Sequence, residues 1–292
     1  MSSILITGAT GFLGKATIDF LLQKGFAANQ ILALARSGEK AADLSAKGIR
    51  IKIGDYLDYS SLVTAFDGVE ELFFISGNEL SARVEQHRNV INAAKKTGVK
   101  HIVYTSGFRK NETDTSPVAF LVQQHIETEK LIKASGIPYT LLLNGLYADV
   151  LPGFLGENVL ETGVFLPAGN GKAAFTVRLD IAEAAANILL TTGHENKEYV
   201  FTNTENTGLN EVAGFLGELS GKQVKYMDPS KAEYLETVTK AGLPPEYAEM
   251  LVSFSEAIEQ GEFEAVNTDL ERLLGRKPTS LFNYLKQVYS SM

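Results

Sequence analysis

The 292-residue chain contains no cysteine. Disulfides, thiolate nucleophiles and cysteine metal sites are excluded with it. A disulfide-stapled secreted scaffold is therefore out, and the cytoplasm is the expected compartment. The chain also lacks a run of lysine and arginine of the kind that tracks a phosphate backbone. Its net charge of -8, from 27 basic and 35 acidic residues, points away from nucleic acid. No stretch approaches ~18 uninterrupted apolar residues, so no membrane span is expected. The N-terminus has no basic leader ahead of a long apolar run, so no signal peptide is expected. No grouping of His, Asp and Glu has metal-ligand spacing, and no serine nucleophile elbow is present. What remains is 45% apolar and 21% charged residues, the balance of an ordered globular chain with a large core.

Apolar runs at 4–7, 31–35, 49–53, 72–75, 101–105 and 139–143 read as buried parallel strands. Helical spacing fills 12–24, 39–47, 84–97 and 120–134. This alternation predicts an α/β fold, a doubly wound parallel sheet of Rossmann type with helices on both faces. Past residue 145 the rhythm breaks into Gly- and Pro-rich turns. Helical patterns return at 178–192, 210–220, 231–241, 245–259 and 280–289, with a strand at 199–202. The expected organisation is a dinucleotide-binding domain over 1–145 and a smaller, mostly helical lobe over 146–292. Part of 178–202 is expected to return to the main domain.

Gly8-Ala9-Thr10-Gly11-Phe12-Leu13-Gly14 follows the first strand and opens the first helix. The spacing is G-x-x-G-x-x-G. Gly8 permits the tight turn, Gly11 lets the backbone approach a pyrophosphate, and Gly14 lets the helix pack close to the sheet. The helix N-terminus then offers free N–H groups and a favourable dipole to phosphate. Gly8, Thr10, Gly11, Phe12, Leu13 and Gly14 are thus candidate cofactor contacts. At the end of the second strand, where an acidic residue would accept from the adenosine ribose, stands Arg36. A guanidinium suits a 2′-phosphate, so NADPH is expected ahead of NADH. Asp55, after the third strand, either accepts from the adenine amino group or caps the next helix.

The glycine loop, together with Gln86-His87-Arg88-Asn89-Val90-Ile91-Asn92-Ala93-Ala94, Tyr104-Thr105-Ser106, His125-Ile126-Glu127-Thr128-Glu129-Lys130 and Asn144-Gly145-Leu146-Tyr147, resembles the NmrA-like, atypical branch of the short-chain dehydrogenases/reductases. Within that branch it is similar to the type 2 NAD(P)H:quinone oxidoreductases. The resemblance implies no bound metal, no obligatory flavin and direct hydride transfer to a quinone. Ordinary short-chain reductases use Tyr-x-x-x-Lys; here those places fall on Leu121 and His125. Leucine moves no proton, so alcohol dehydrogenation is not expected. Related phenylcoumaran and isoflavone reductases carry a catalytic lysine at the place of His125. Three roles stand open for His125: proton donor with an ordinary value near ~6.5, ribose or amide ligand, or packing residue.

Phe74 and Ser76 end the fourth strand, at the usual crevice of such sheets. Phe74 is expected near the adenosine or nicotinamide ribose and Ser76 beside the cofactor. Thr105 and Ser106 end the fifth strand, where Ser106 either donates to nicotinamide or acceptor or is satisfied by a turn. Asn144 fixes the turn after the sixth strand, and Tyr147 offers the acceptor a ring face and an O–H. His87 is expected to be structural or pocket-lining. His101 and His194 are expected to be structural. The functional expectation is reduction of a small aromatic quinone. Two alternatives are a non-catalytic NAD(P) redox sensor acting on a regulatory partner and a reductase of azo, nitro or enone acceptors. A homodimer is compatible with the sequence.

Overall fold

The computed structural model describes residues 3–290. Its first half alternates strands and helices: β1 (Ile4–Ile6), α1 (Phe12–Gln23), β2 (Ile31–Ala35), α2 (Ala42–Ala46), β3 (Arg50–Ile53), α3 (Tyr59–Ala65), β4 (Glu71–Phe74), α4 (Arg83–Thr97), β5 (His101–Gly107), α5 (Ala119–Ser135) and β6 (Tyr139–Asn144). Short elements follow: α6 (Leu151–Leu155), α7 (Val159–Thr162), β7 (Val164–Phe165) and β8 (Lys172–Ala173). Next come α8 (Arg178–Leu189) and β9 (Lys197–Phe201). The chain ends with β10 (Thr207–Gly208), α9 (Leu209–Ser220), β11 (Tyr226–Met227), α10 (Lys231–Lys240), α11 (Pro245–Glu259), α12 (Leu270–Leu274) and α13 (Leu281–Tyr289).

The main sheet has the order β3-β2-β1-β4-β5-β6-β9, and every pairing in it is parallel. Strand β1 shows why. Ile4 and Ile6 pack into the core on the α1, α8 and α12 side, while Leu5 packs into the core on the α3, α4 and α5 side. A strand buried on both faces must be apolar throughout, and its neighbours must be reached by helical crossovers. The strand order reverses between β1 and β4, so a crevice opens at their C-terminal ends.

The segment after β6 returns to this sheet. Strand β9 pairs with β6, and α8 packs against α1. Buried Asp180 on α8 ties in the C-terminal segment, accepting from the Thr279 backbone N–H at 2.6 Å and from Arg276 at 2.8 Å. The remaining lobe has its own core, in which Leu151, Phe175, Val212, Leu216, Val252 and Leu285 are buried. It carries two small two-stranded sheets, β8 with β10 and β7 with β11. Parallel sheet and helical lobe together match the fold expected from the sequence.

Three local expectations are corrected. The helix expected at 39–47 is a 3₁₀ turn over Glu39–Ala41 followed by one short helix, because glycines at 38 and 48 bound it. The helix expected at 178–192 stops at Leu189. Helix α3 is the helix expected after the third strand. It is capped by Asp58, whose carboxylate accepts from the Ser61 backbone N–H at 3.1 Å, so Asp55 is not the cap.

Candidate active site

At the crevice between β1 and β4 lies a cleft of about 860 Å³ that runs from the glycine loop to the helical lobe. At its floor, Gly8 has a φ of +59°, in the left-handed region that a side chain disfavours. A Cβ on Gly14 would lie 2.5 Å from the Gly8 carbonyl oxygen, so only glycine lets α1 start this close to the strand. Helix α1 has no side-chain cap and no acidic residue in its first turn. Its leading N–H groups and positive dipole end are left for an anion, which is what a pyrophosphate requires. Thr10, Gly11, Phe12 and Leu13 line the same end of the cleft.

Arg36 is exposed, lines the cleft after β2, and forms no ion pair among the described residues. Asp55 lines it as well; one carboxylate oxygen accepts from the Leu57 backbone N–H at 2.9 Å. Thr105 holds the loop after β4, its hydroxyl accepting from the Ser76 backbone N–H at 2.8 Å. These residues fit a phosphorylated dinucleotide. Among the described residues, no group of His, Asp and Glu side chains could hold a metal ion.

Phe74 is corrected. Its ring is fully buried on the α4 side of the sheet, 4.8 Å from the His87 ring and 5.1 Å from Tyr104, and it does not line the cleft. It sits on the opposite face of β4 from Phe73 because successive residues of a strand point oppositely. Ser106 lines the cleft, and its hydroxyl donates to Glu129 of α5, so it is not satisfied by a turn. Glu129 is gripped by Arg109 through two bonds of 2.7 Å, and both side chains are buried. This pair takes up the carboxylate that lies one helical turn from His125 on α5.

His125 and Leu121, one turn apart on α5, both line the cleft. The Tyr104 hydroxyl lies 3.0 Å from His125 Nδ1. Burial, and then the charges of Arg83, His87 and Arg109, push the imidazole down to about 3. The expected proton donor with a value near 6.5 is therefore a neutral ring near pH 7. His87 is fully buried behind it, accepting from the Gly77 backbone N–H at 3.0 Å on Nε2 and meeting Thr128 at 2.8 Å on Nδ1. His101 meets Thr140 at 2.9 Å, and His194 meets Tyr199 at 2.9 Å; neither lines the cleft.

Asn144 closes β6. Its Nδ2 donates to the Tyr147 hydroxyl at 3.1 Å, while its buried Oδ1 has no partner among the described residues. Tyr147 lines the cleft, and burial raises its phenol above the ordinary value. Sequence reasoning missed the rest of the wall. Arg178 stacks on Phe12 at 4.6 Å, and Arg83 sits beside Gly77 and His125. Phe154, Met250, Phe254 and Phe263 come from the helical lobe, with Phe254 and Phe263 stacked at 6.0 Å. Only the folded chain brings these distant positions together, so no local spacing marks them.

The NmrA-like family profile matches residues 1–290. Quinone oxidoreductase 2 of Escherichia coli (strain K12) is 41% identical over 290 residues, 98% of this chain and 99% of that protein. The crystal structure of the E. coli NADPH-dependent quinone oxidoreductase complexed with NADPH superposes with a TM-score of 0.89 at 39% identity, covering 98% and 99% of the two chains. The Citrobacter sp. triphenylmethane reductase complexed with NADP(H) does so with a TM-score of 0.89 at 38% identity, again over 98% and 99%. The chain belongs to the NmrA-like family.

Proposed function

We propose that this protein reduces quinones by direct hydride transfer from NADPH. The observation that carries the reading is the continuity of one cleft. Its floor is a phosphate-binding glycine loop, and its far wall is the apolar surface of Leu121, Phe154, Met250, Phe254 and Phe263. Cofactor and flat acceptor would share it. The quinone oxidoreductase and triphenylmethane reductase relatives match end to end at 38–41% identity, which favours an enzyme over a redox sensor.

When bound, the nicotinamide supplies the hydride. The chain's residues bind, orient and exclude water. The α1 N-terminus holds the pyrophosphate, and Arg36 meets the 2′-phosphate. Asp55 and Ser76 face the adenosine half. His125 acts as a neutral donor: with the Tyr104 phenol donating to Nδ1, the ring proton sits on Nε2, which has no hydrogen-bond partner among the described residues. Asn144 presents its free Oδ1 beside Tyr147, which offers a ring face to the acceptor. No tyrosine acid is needed, because a quinone is a strong electrophile and its reduced oxygen takes a proton from water. A cytoplasmic location, where NADPH is supplied, belongs to the same proposal.

The test is NADPH oxidation by purified, flavin-free protein with 1,4-benzoquinone. Consumption of one NADPH per hydroquinone is expected. The aromatic breadth of the wall favours a second reading, in which larger dye-like acceptors also enter, as the Citrobacter relative's activity suggests.

A further inference from the structure

Arg83 is the first residue of α4 and is only 6% exposed. Its Nε donates to the Gly77 carbonyl at 2.7 Å, but its buried NH1 has no partner among the described residues. No carboxylate lies within ion-pair distance of it among the described residues. Glu79, the nearest loop acid by sequence, accepts from Gln86 at 2.9 Å, and Glu129 is consumed by Arg109 and Ser106. His87 and His125 are neutral and add no negative charge. Burial disfavours the guanidinium charge, and the positive end of α4 adds to the cost. A desolvated cation with a free donor on the wall of a ligand cleft is a site that a negative group would complete. Arg178, the other interior arginine of the cleft, also has a buried Nε without a hydrogen-bond partner among the described residues, but Asp149 at 3.5 Å balances its charge, which nothing does for Arg83.

We propose that Arg83 is the anion-holding donor of the acceptor site, its NH1 donating to the quinone oxygen that becomes negative as hydride arrives. This inference rests on the quinone-reduction reading. Hydride from NADPH brings two electrons and one hydrogen to the neutral quinone, leaving the hydroquinone monoanion and NADP⁺. A proton from water then completes the hydroquinone. Arg83 donates a hydrogen bond throughout and loses no proton. The same donor makes the site selective for acceptors that carry an ionised oxygen on the ring.

The experiment measures binding, not turnover. Protein loaded with NADP⁺ is titrated with 2-hydroxy-1,4-naphthoquinone, an enolate at neutral pH, and with its neutral 2-methoxy counterpart. The parent protein binds the enolate more tightly by about tenfold or more, the scale of one hydrogen bond to a charged group. Arg83→Gln abolishes that preference while leaving NADP⁺ and the methoxy compound bound as before. Arg83→Lys, which keeps the charge but cannot span Gly77 and the acceptor together, retains part of it. Equal affinity of the parent for the two quinones overturns the assignment whether or not the Gln variant folds. So does a loss in Arg83→Gln that falls equally on NADP⁺, which would give the guanidinium to the cofactor. Turnover of 1,4-benzoquinone by the parent separates the two failures. Without turnover the functional reading falls, whereas turnover without anion preference removes Arg83 alone.

Discussion

Tyr104 meets His125 at Nδ1, 3.0 Å from the phenol oxygen, on the wall of the cofactor cleft. The strand residue and the helix residue are buried together, and with the phenol donating, the imidazole proton sits on Nε2. A neutral ring held this way donates a hydrogen bond without titrating, as an electrophilic group should. His125→Gln keeps a donor and His125→Ala removes it. Turnover is expected to fall in the order parent, Gln, Ala. The Ala loss is on the order of 10- to 100-fold, below that of a dedicated oxyanion donor, because water reaches so reactive an acceptor. The pH profiles of parent and Gln variant should be parallel from pH 5.5 to 8. A limb near pH 6.5 present in the parent alone would show that the ring titrates.

Burial of neutral histidine also sets the acid limit of stability. His87 and His125 are both pushed from 6.5 down to about 3, first by burial and then by the Arg83 charge. Between those values the unfolded chain binds more protons than the folded one. Stability is therefore retained above pH 6.5 and falls as pH drops toward 3, by about 1.4 kcal/mol per pH unit for each histidine. Urea unfolding at pH 7 and pH 5 checks this. The His125→Gln variant should lose less stability between them than the parent, by the equivalent of one proton, and equal losses would count against a neutral buried ring.

Arg36 should set the cofactor preference. Its guanidinium is exposed and free of ion pairs among the described residues. Arg36→Ala should weaken NADPH binding by roughly 10-fold, the lower end for a charge-assisted bond because solvent screens it, and leave NADH nearly unchanged. Titration of both cofactors reads this directly. Equal losses would remove Arg36 from the 2′-phosphate.

The Glu129–Arg109 pair should be costly to break singly. Glu129→Leu leaves the buried guanidinium with only the exposed Glu112, at 3.1 Å, as a carboxylate partner and frees the Ser106 hydroxyl, at a cost of about 3 kcal/mol, the low end for a broken buried pair. Combining it with Arg109→Leu should recover much of that loss, since both charges leave the interior together. Thermal unfolding of the single and double variants measures the coupling, and simple additivity would contradict it.

Local pattern carried much of this fold, and distance explains what it did not carry. The alternation of apolar runs with helical spacing foreshadows the parallel sheet, and Gly8 to Gly14 is legible because the whole phosphate loop is contiguous. Leu121 and His125 are paired in the sequence by one helical turn, and both line the cleft. The charge state of His125 was not legible. It depends on Arg83, His87 and Arg109, which join it only through the packing of α4 and α5 and the chain beyond β5. Phe74 was misplaced because a strand end exposes one face only, and the neighbouring Phe73 occupies the opposite one. The aromatic wall from α6, α11 and Phe263 lies over 100 residues from the glycine loop, and only tertiary structure shows that it covers the same cleft.

Direct hydride transfer is the central claim, and single-turnover oxidation of stereospecifically deuterated NADPH tests it best. Flavin-free protein is mixed with 1,4-benzoquinone and NADPH labelled at one or the other C4 position. The account predicts slower oxidation for one diastereomer only, because the cleft presents a single nicotinamide face to the acceptor. Identical rates for both labels, or no oxidation until flavin is added, would contradict it.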